Sequence, residues 1–456
     1  MKNILKSYNI FTLIFIVVVL ITVVCTPIFG LGDLSEYTST FEGVGLYNTG
    51  ADTYAIAQNY GISQPDGNEK SVFQLFLMVL ISINKLLFSK TVFNIHFISI
   101  VYSLIFISGM YFLQKNMRFE KDYLNYAFSA LLGIVFLDLG YLAYFNSFYN
   151  DALIFVLIIA MAALAVSVAR KFSYVKTVLF AICACLLSSM RFSAAVVAAF
   201  AALVLCTMAL TLNSEGKTVT VVFAVIVAAV SVFSMVNTHI PARDVKLYNL
   251  IYNDFAADSK TALEFFDLEE NKISENPTID EMSDAVEGVT YGDVVKYYAA
   301  YPKQFAANIK SAANNAYFLI QDFASYREAG AYYGLREGTN IKLWNFLKRR
   351  VLPNGIWVIL AFVVIYAVVA VREYIKNKKD GNYTKACIAL FVALLPVGSL
   401  SEMIATVITT GKILISKNMF VFGIYFDLMI ITAVLWAAAT LIARQEAIKE
   451  KYGLKQ

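Results

Sequence analysis

Charge is scarce in this chain. Asp, Glu, Lys and Arg make up 15% of its 456 residues, against 59% hydrophobic ones. A soluble domain of that length carries about 25% charge, so a soluble globular protein is excluded. Histidine is nearly absent, with only His96 and His239, which argues against a His-rich metal centre. The cysteines Cys25, Cys183, Cys185, Cys206 and Cys387 all lie within apolar runs and none in a long polar loop. That placement speaks against a disulfide framework or a thiolate metal site. No GxGxxG, Walker A or HExxH motif occurs, so chemistry driven by ATP bound to this chain is not expected. The net charge of +4 is too mild to suggest nucleic acid. Lys2 and Lys6 precede a run of about 20 apolar residues ending at Phe29, and no A-x-A site closes it, so a retained anchor is expected. No internal repeat is evident.

What the chain does have is a series of apolar runs, and a mean hydropathy of +0.64. Runs of about 20 residues can each cross ~30 Å of hydrocarbon, where the backbone must bond to itself as helix. The expected fold is an all-α polytopic membrane protein with about ten transmembrane helices, near 10–29, 94–114, 124–144, 152–169, 176–190, 193–212, 218–236, 355–371, 385–402 and 419–442. Lys115, Arg118 and Lys121 follow the second run, Arg170, Lys171 and Lys176 the fourth, and Lys217 the sixth. Arg372, Lys376, Lys378, Lys379 and Lys385 surround the gap after the eighth, and Arg444, Lys449, Lys451 and Lys455 close the chain. All these clusters fall on one side, which the positive-inside rule makes cytoplasmic, with both termini.

Two long segments then lie outside. In 30–93, Phe73 to Phe88 is apolar but short for a span, and Lys85 and Lys90 favour a helix lying in the interface. An additional span there would invert everything downstream. The segment 237–353 reads as an extracytoplasmic, mostly helical domain between a transmembrane module (1–236) and the C-terminal spans and tail (354–456). Apolar residues recur at three and four from Val294 to Phe323, and Pro302 starts or kinks a helix there.

The polar residues near span ends gather on the outer side. They are Asp33 and Glu36 after the first run, Asp138 in the third, Asp151 opening the fourth, Arg191 between the fifth and sixth, Glu402 ending the ninth, and Lys412 and Lys417 before the tenth. Each has a plain structural alternative. Asp33 and Glu36 could be turn residues, Asp138 a buried brace, Asn150 and Asp151 helix caps, and Arg191 and Lys417 interfacial anchors. Their convergence on one face is the stronger signal. A carboxylate there can take a proton from a hydroxyl, and cations can hold a phosphate. Tyr37, Tyr141, Tyr144, Phe145, Phe148 and Tyr149 could stack on sugars or form an aromatic belt.

YFNSFYND, from Tyr144 to Asp151, with Asp138 upstream, resembles the motif opening the fourth span in bacterial glycan-biosynthesis hexose transferases of the WsfD type. Those look like members of the GT-C superfamily, polytopic glycosyltransferases that use polyprenyl-phosphate sugars. Asp33 stands where that superfamily keeps its catalytic acid. Tyr248 to Tyr252, the run to Leu268, and Tyr301-Pro302 are similar to the start of its outer domain, and Lys417-Asn418 followed by Asp427 to its Lys-His near the last span. Departures are Asp151 for the usual Glu, Arg191 for Lys and Asn418 for His. The resemblance implies hexose transfer from a lipid-linked (polyprenyl-phosphate) donor to a cell-envelope glycan acceptor outside the cytoplasmic membrane. It implies Asp33 as base with Glu36 as a second candidate, Asp151 as second acid, and Arg191 and Lys417 as phosphate ligands. Asp138, Asn146, Tyr149 and Asn418 would position substrate. A divalent metal could sit between two carboxylates, though nothing requires one. A flippase for lipid-linked sugars and a non-catalytic glycan-assembly protein are the rival readings.

Overall fold

The computed structural model describes residues 7–25, 28–31, 40–41, 43–48, 58–65, 71–209, 214–237, 242–259, 261–269, 277–319, 324–328, 331–334 and 343–452. Each of the ten apolar runs is helical. Seven helices are individually long and apolar enough to span: Ile95–Asn116, Asn150–Arg170, Phe192–Ala209, Gly216–Asn237, Ile356–Lys379, Tyr383–Thr410 and Phe420–Lys451. An eighth is the pair Asp122–Phe136 and Leu139–Asn146, bent by 57°. Tyr8–Val24 and Tyr174–Ser188 are shorter apolar helices that complete the series. In chain order these ten are called the first to tenth spans below. Their outward faces are apolar, as at Phe233, Trp357 and Val364, which suits contact with lipid rather than water.

Several boundaries differ from the expected ones. The first helix ends at Val24, and Ile28–Leu31 is a strand (β1). The ninth span runs on to Thr410, so Glu402 lies two turns inside it rather than at its end. Asp138 sits at the break in the third span, where its Oδ1 accepts the Gly140 N–H at 2.9 Å as an N-cap.

The first outer segment contributes β2 (Leu46–Asn48), β3 (Asn59–Ile62) and β4 (Val92–Asn94), which form an antiparallel sheet. Between β3 and β4 lies the amphipathic helix Val72–Leu87, started by a Ser71/Gln74 capping box. Phe73, Leu77, Leu80, Ile81 and Asn84 face inward, while Leu75, Val79, Leu86 and Leu87 are exposed. An apolar face turned outward is what an interfacial helix needs.

Among the described residues, the second long segment forms several short helices between Arg243 and Asn315 that pack on one another. Pro302 occupies the first turn of the helix Pro302–Asn315, where its missing N–H costs nothing, and Tyr291–Ala300 is a separate helix before it. The helix begun at Pro302 ends at Asn315; Ala324–Glu328 (β5) and Ala331–Gly334 (β6) pair antiparallel, and β5 pairs with β1. Neither sheet was foreseen. An aromatic cluster of Tyr248, Tyr252, Phe255, Phe266, Tyr297 and Tyr298 fills this domain's core and continues onto Met403, Val407, Phe422 and Phe426 of the spans. The domain and the last two spans therefore share one hydrophobic core. Asp254 fastens the joint: its Oδ2 accepts the Asn308 side-chain amide at 2.8 Å and the Lys412 backbone N–H at 2.9 Å.

Candidate active site

The sharp entry into the fourth span builds one wall. A short turn, Ala143–Asn146, is followed by extended Ser147 and Tyr149, and the helix begins at Asn150. Asp151 thus sits in the first turn, where helix N–H groups favour negative charge. It does not cap its own helix; its Oδ1 accepts from Arg191 Nη2 at 2.8 Å. Arg191 occupies the turn between the fifth and sixth spans, and its Nη1 donates to Glu402 Oε2 at 3.2 Å. Ser193 Oγ donates to the other Glu402 oxygen at 2.7 Å. Glu402 and Asp151 are buried, with side-chain exposures of 1% and 6%, while Arg191 keeps 24%. A carboxylate about 12 Å inside a span is costly unless a cation and hydrogen bonds satisfy it, and Glu402 has both.

This ion triad lines a pocket that opens at the end of the bundle. Phe148, Tyr149, Thr406, Thr410 and Asn418 form its sides, Thr40 and Phe73 come from the first outer segment, and Lys246 reaches in from the second. Lys417 is buried beside it, with Nζ 3.9 Å from the centre of the Tyr149 ring, a cation–π contact. The Asn418 side chain donates to Thr410 Oγ1 at 3.2 Å and to the Ile413 carbonyl at 3.3 Å, and the Asn418 backbone carbonyl accepts from Thr406 Oγ1 at 3.1 Å. Of the residues singled out in the sequence, Phe148, Tyr149, Asp151, Arg191, Glu402 and Asn418 line one pocket, and Lys417 flanks it.

Others go elsewhere. Asp33, Glu36 and Tyr37 lie outside the described residues. Asp138 faces away from the pocket; its Oδ2 accepts the Asn345 N–H at 3.0 Å, tying the third span to the helix Leu343–Arg350. Asn146 is a brace too, donating to the Val23 carbonyl at 3.0 Å and accepting from Ser99 at 2.5 Å. Tyr141, Tyr144 and Phe145 are core: Tyr144 stacks on Phe420 at 3.7 Å and Tyr141 bonds Asp427. Lys412 pairs with Asp254 and Asp258 at the domain joint. Its bonds to these carboxylates outweigh partial burial and hold the Lys412 ammonium above its ordinary range. Among the described residues no group of three or more His, Cys, Asp or Glu converges as a metal site would require.

Glu402 stood out only as a boundary charge, and Lys246 not at all. An acidic residue in an apolar run is itself a signal of function. Lys246 had none, because a lysine in a polar segment is ordinary. A second buried pair also escaped notice. Lys348 and Asp427, both fully buried, meet at 2.6 Å, and Asp427 Oδ2 also accepts from Tyr141 and from Trp344 Nε1 at 2.6 Å.

The fold and pocket together define a polytopic helical membrane protein with an ion-paired polar cavity at one end of its bundle and a helical domain packed onto the last spans. A family model described as the YfdI N-terminal transmembrane domain matches residues 1–251 and 251–454, and the chain belongs to that family. YfdI is a GT-C-like glycosyltransferase, and this chain is a membrane glycosyltransferase-like protein. No curated protein and no solved structure matches it.

Proposed function

We propose that the chain transfers a hexose from a polyprenyl-phosphate donor to a cell-envelope glycan acceptor on the extracytoplasmic side of the bacterial cytoplasmic membrane, as WsfD-type enzymes would. The observation that carries this is the pocket itself. Carboxylates, cations and aromatic rings meet at the end of the spans opposite the basic loops.

The acceptor hydroxyl loses its proton to a carboxylate and its oxygen attacks the anomeric carbon. The bond from that carbon to the phosphate oxygen breaks, and the polyprenyl phosphate leaves with the electron pair. Asp33 is the proposed base and Glu36 the second candidate. Asp151 would orient the acceptor while its other partner, Arg191, faces the phosphate. Two carboxylates already share Arg191, so Lys417 and Lys246 supply the balancing positive charge as the leaving group develops. Tyr149, held by Lys417, offers a ring to the sugar.

The test is transfer by the purified protein in detergent, from a polyprenyl-phosphate hexose to a glycan fragment. Asp33→Asn should abolish product, and Asp151→Asn should lower the rate by about 10²–10⁴, with both proteins extracted and folded as the parent is. Full transfer by Asp33→Asn removes the base. Absence of any transfer by the parent, together with donor movement across sealed vesicles, favours a flippase.

A further inference from the structure

A second, apolar cavity, with Phe180 and Val392 in its lining, lies between the spans and runs from Val197 and Tyr425, below the ion triad, toward the basic end of the bundle at Leu113, Met117 and Val166. The helices that line it end in cations on the same faces. Arg170 lies four residues beyond Val166, Lys176 four before Phe180, and Lys385 seven before Val392, while Arg118 follows Met117. Residues four or seven apart on a helix share a face, so the cavity's lining runs toward Arg170, Lys176 and Lys385, and Arg118 lies just past the end of the second span beside Met117.

Arg170 Nη2 donates to the Arg118 carbonyl at 3.0 Å, bringing the two arginines together between the second and fourth spans. The Arg118 guanidinium lies 5.6 Å over the Tyr8 ring, and its Nε donates to the Lys115 carbonyl at 3.0 Å. Lys176 Nζ reaches the Ser167 carbonyl at 3.3 Å. Of the carboxylates at this end, Glu120 pairs with Lys385 at 3.4 Å and Glu446 with Lys121 at 2.5 Å. Among the described residues none pairs with Arg118, Arg170 or Lys176.

The positive-inside tendency accounts for cations at this end, but it requires neither two arginines in contact nor an apolar cavity beneath them. We infer that this site binds an anionic membrane phospholipid, with its phosphate held by Arg118 and Arg170 beside Lys176 and an acyl chain in the cavity. Guanidinium forks match phosphate oxygens, and basic pockets between spans hold anionic headgroups in this way. A zwitterionic lipid brings the same chains without the net charge, so headgroup charge separates specific binding from simple filling of the cavity. The inference is independent of the reaction proposed for the other end.

The full chain is placed in nanodiscs of phosphatidylcholine with or without phosphatidylglycerol, and bound lipid is read by native mass spectrometry alongside the melting temperature. Phosphatidylglycerol should raise the melting temperature and leave a retained adduct. R118Q/R170Q should lose both, whereas K378Q/K379Q, which removes the same charge from that end away from the cavity, should keep both. Ala162→Phe fills the cavity with the charges intact and should also lose the adduct; it carries the test if the double arginine variant does not fold. Equal behaviour in the two lipids, or an adduct that survives in R118Q/R170Q or in Ala162→Phe, overturns the assignment.

Discussion

At the scale of single residues, the protein relies on buried charges that are matched by partners far away in sequence. Lys348 and Asp427 are both fully buried and bind each other, with Tyr141 and Trp344 completing the acid's shell. Lys348→Met strands that carboxylate and should cost about 3–5 kcal/mol, whereas Lys348→Met with Asp427→Leu should recover much of the loss. Thermal unfolding in detergent measures both; a single variant as stable as the parent would remove the pair from the structural account. Such pairs explain what the sequence concealed. Asp151 and Arg191 are legible because a short motif marks one and a tight turn between apolar runs marks the other. Glu402 reaches Arg191 across 211 positions, and no local pattern encodes that contact. Asp138 and Asn146 were visible as polar residues at the right depth, but depth alone does not say whether a side chain faces the pocket or a neighbouring helix.

At the scale of elements, apolar periodicity carried the helices and failed on what lies between them. Ten runs became ten helices because lipid permits little else. The strands escape apolar periodicity because β1 continues an apolar run and its partner β5 lies about 300 residues further on. In the outer domain the helix Tyr291–Ala300 is set by a capping box that sequence spacing could have shown: Thr290 and Asp293 exchange bonds, at 3.4 Å and 3.1 Å. Lys296, together with the Thr290 bonds, holds the Asp293 carboxyl down at about 2, against an ordinary 3.8. Its folded value is depressed, so its stabilising contribution is complete above 3.8 and is lost as the pH falls from there through about 2. Amide exchange across this helix, corrected for intrinsic rate, should rise over that interval in the parent and be already raised and flatter with pH in Asp293→Asn. Identical profiles would show that the box does not hold the helix.

At the scale of the whole molecule, the two ends of the bundle differ in charge and polarity, and which end faces out decides the chemistry available to the pocket. The basic loops meet at one end through Arg118–Arg170, Lys385–Glu120 and Lys121–Glu446 contacts. The polar pocket and outer domain occupy the other. The positive-inside rule assigns the basic end to the cytoplasm, and a lipid-linked sugar as donor requires the pocket on the opposite side. The cysteines of the chain all lie in apolar helices or at their ends, so a cysteine-free background carrying a single introduced thiol reports sidedness cleanly. Glu287 and Lys379 are both exposed, one on the outer domain and the other at the basic end of the eighth span. In intact cells a membrane-impermeant maleimide should label Glu287→Cys at once and Lys379→Cys only after permeabilisation. Labelling in the reverse order would turn the pocket toward the cytoplasm, where soluble nucleotide sugars rather than polyprenyl-phosphate sugars facing the envelope would be at hand, and the proposed donor would have to be abandoned while the fold and the ion triad stood unchanged.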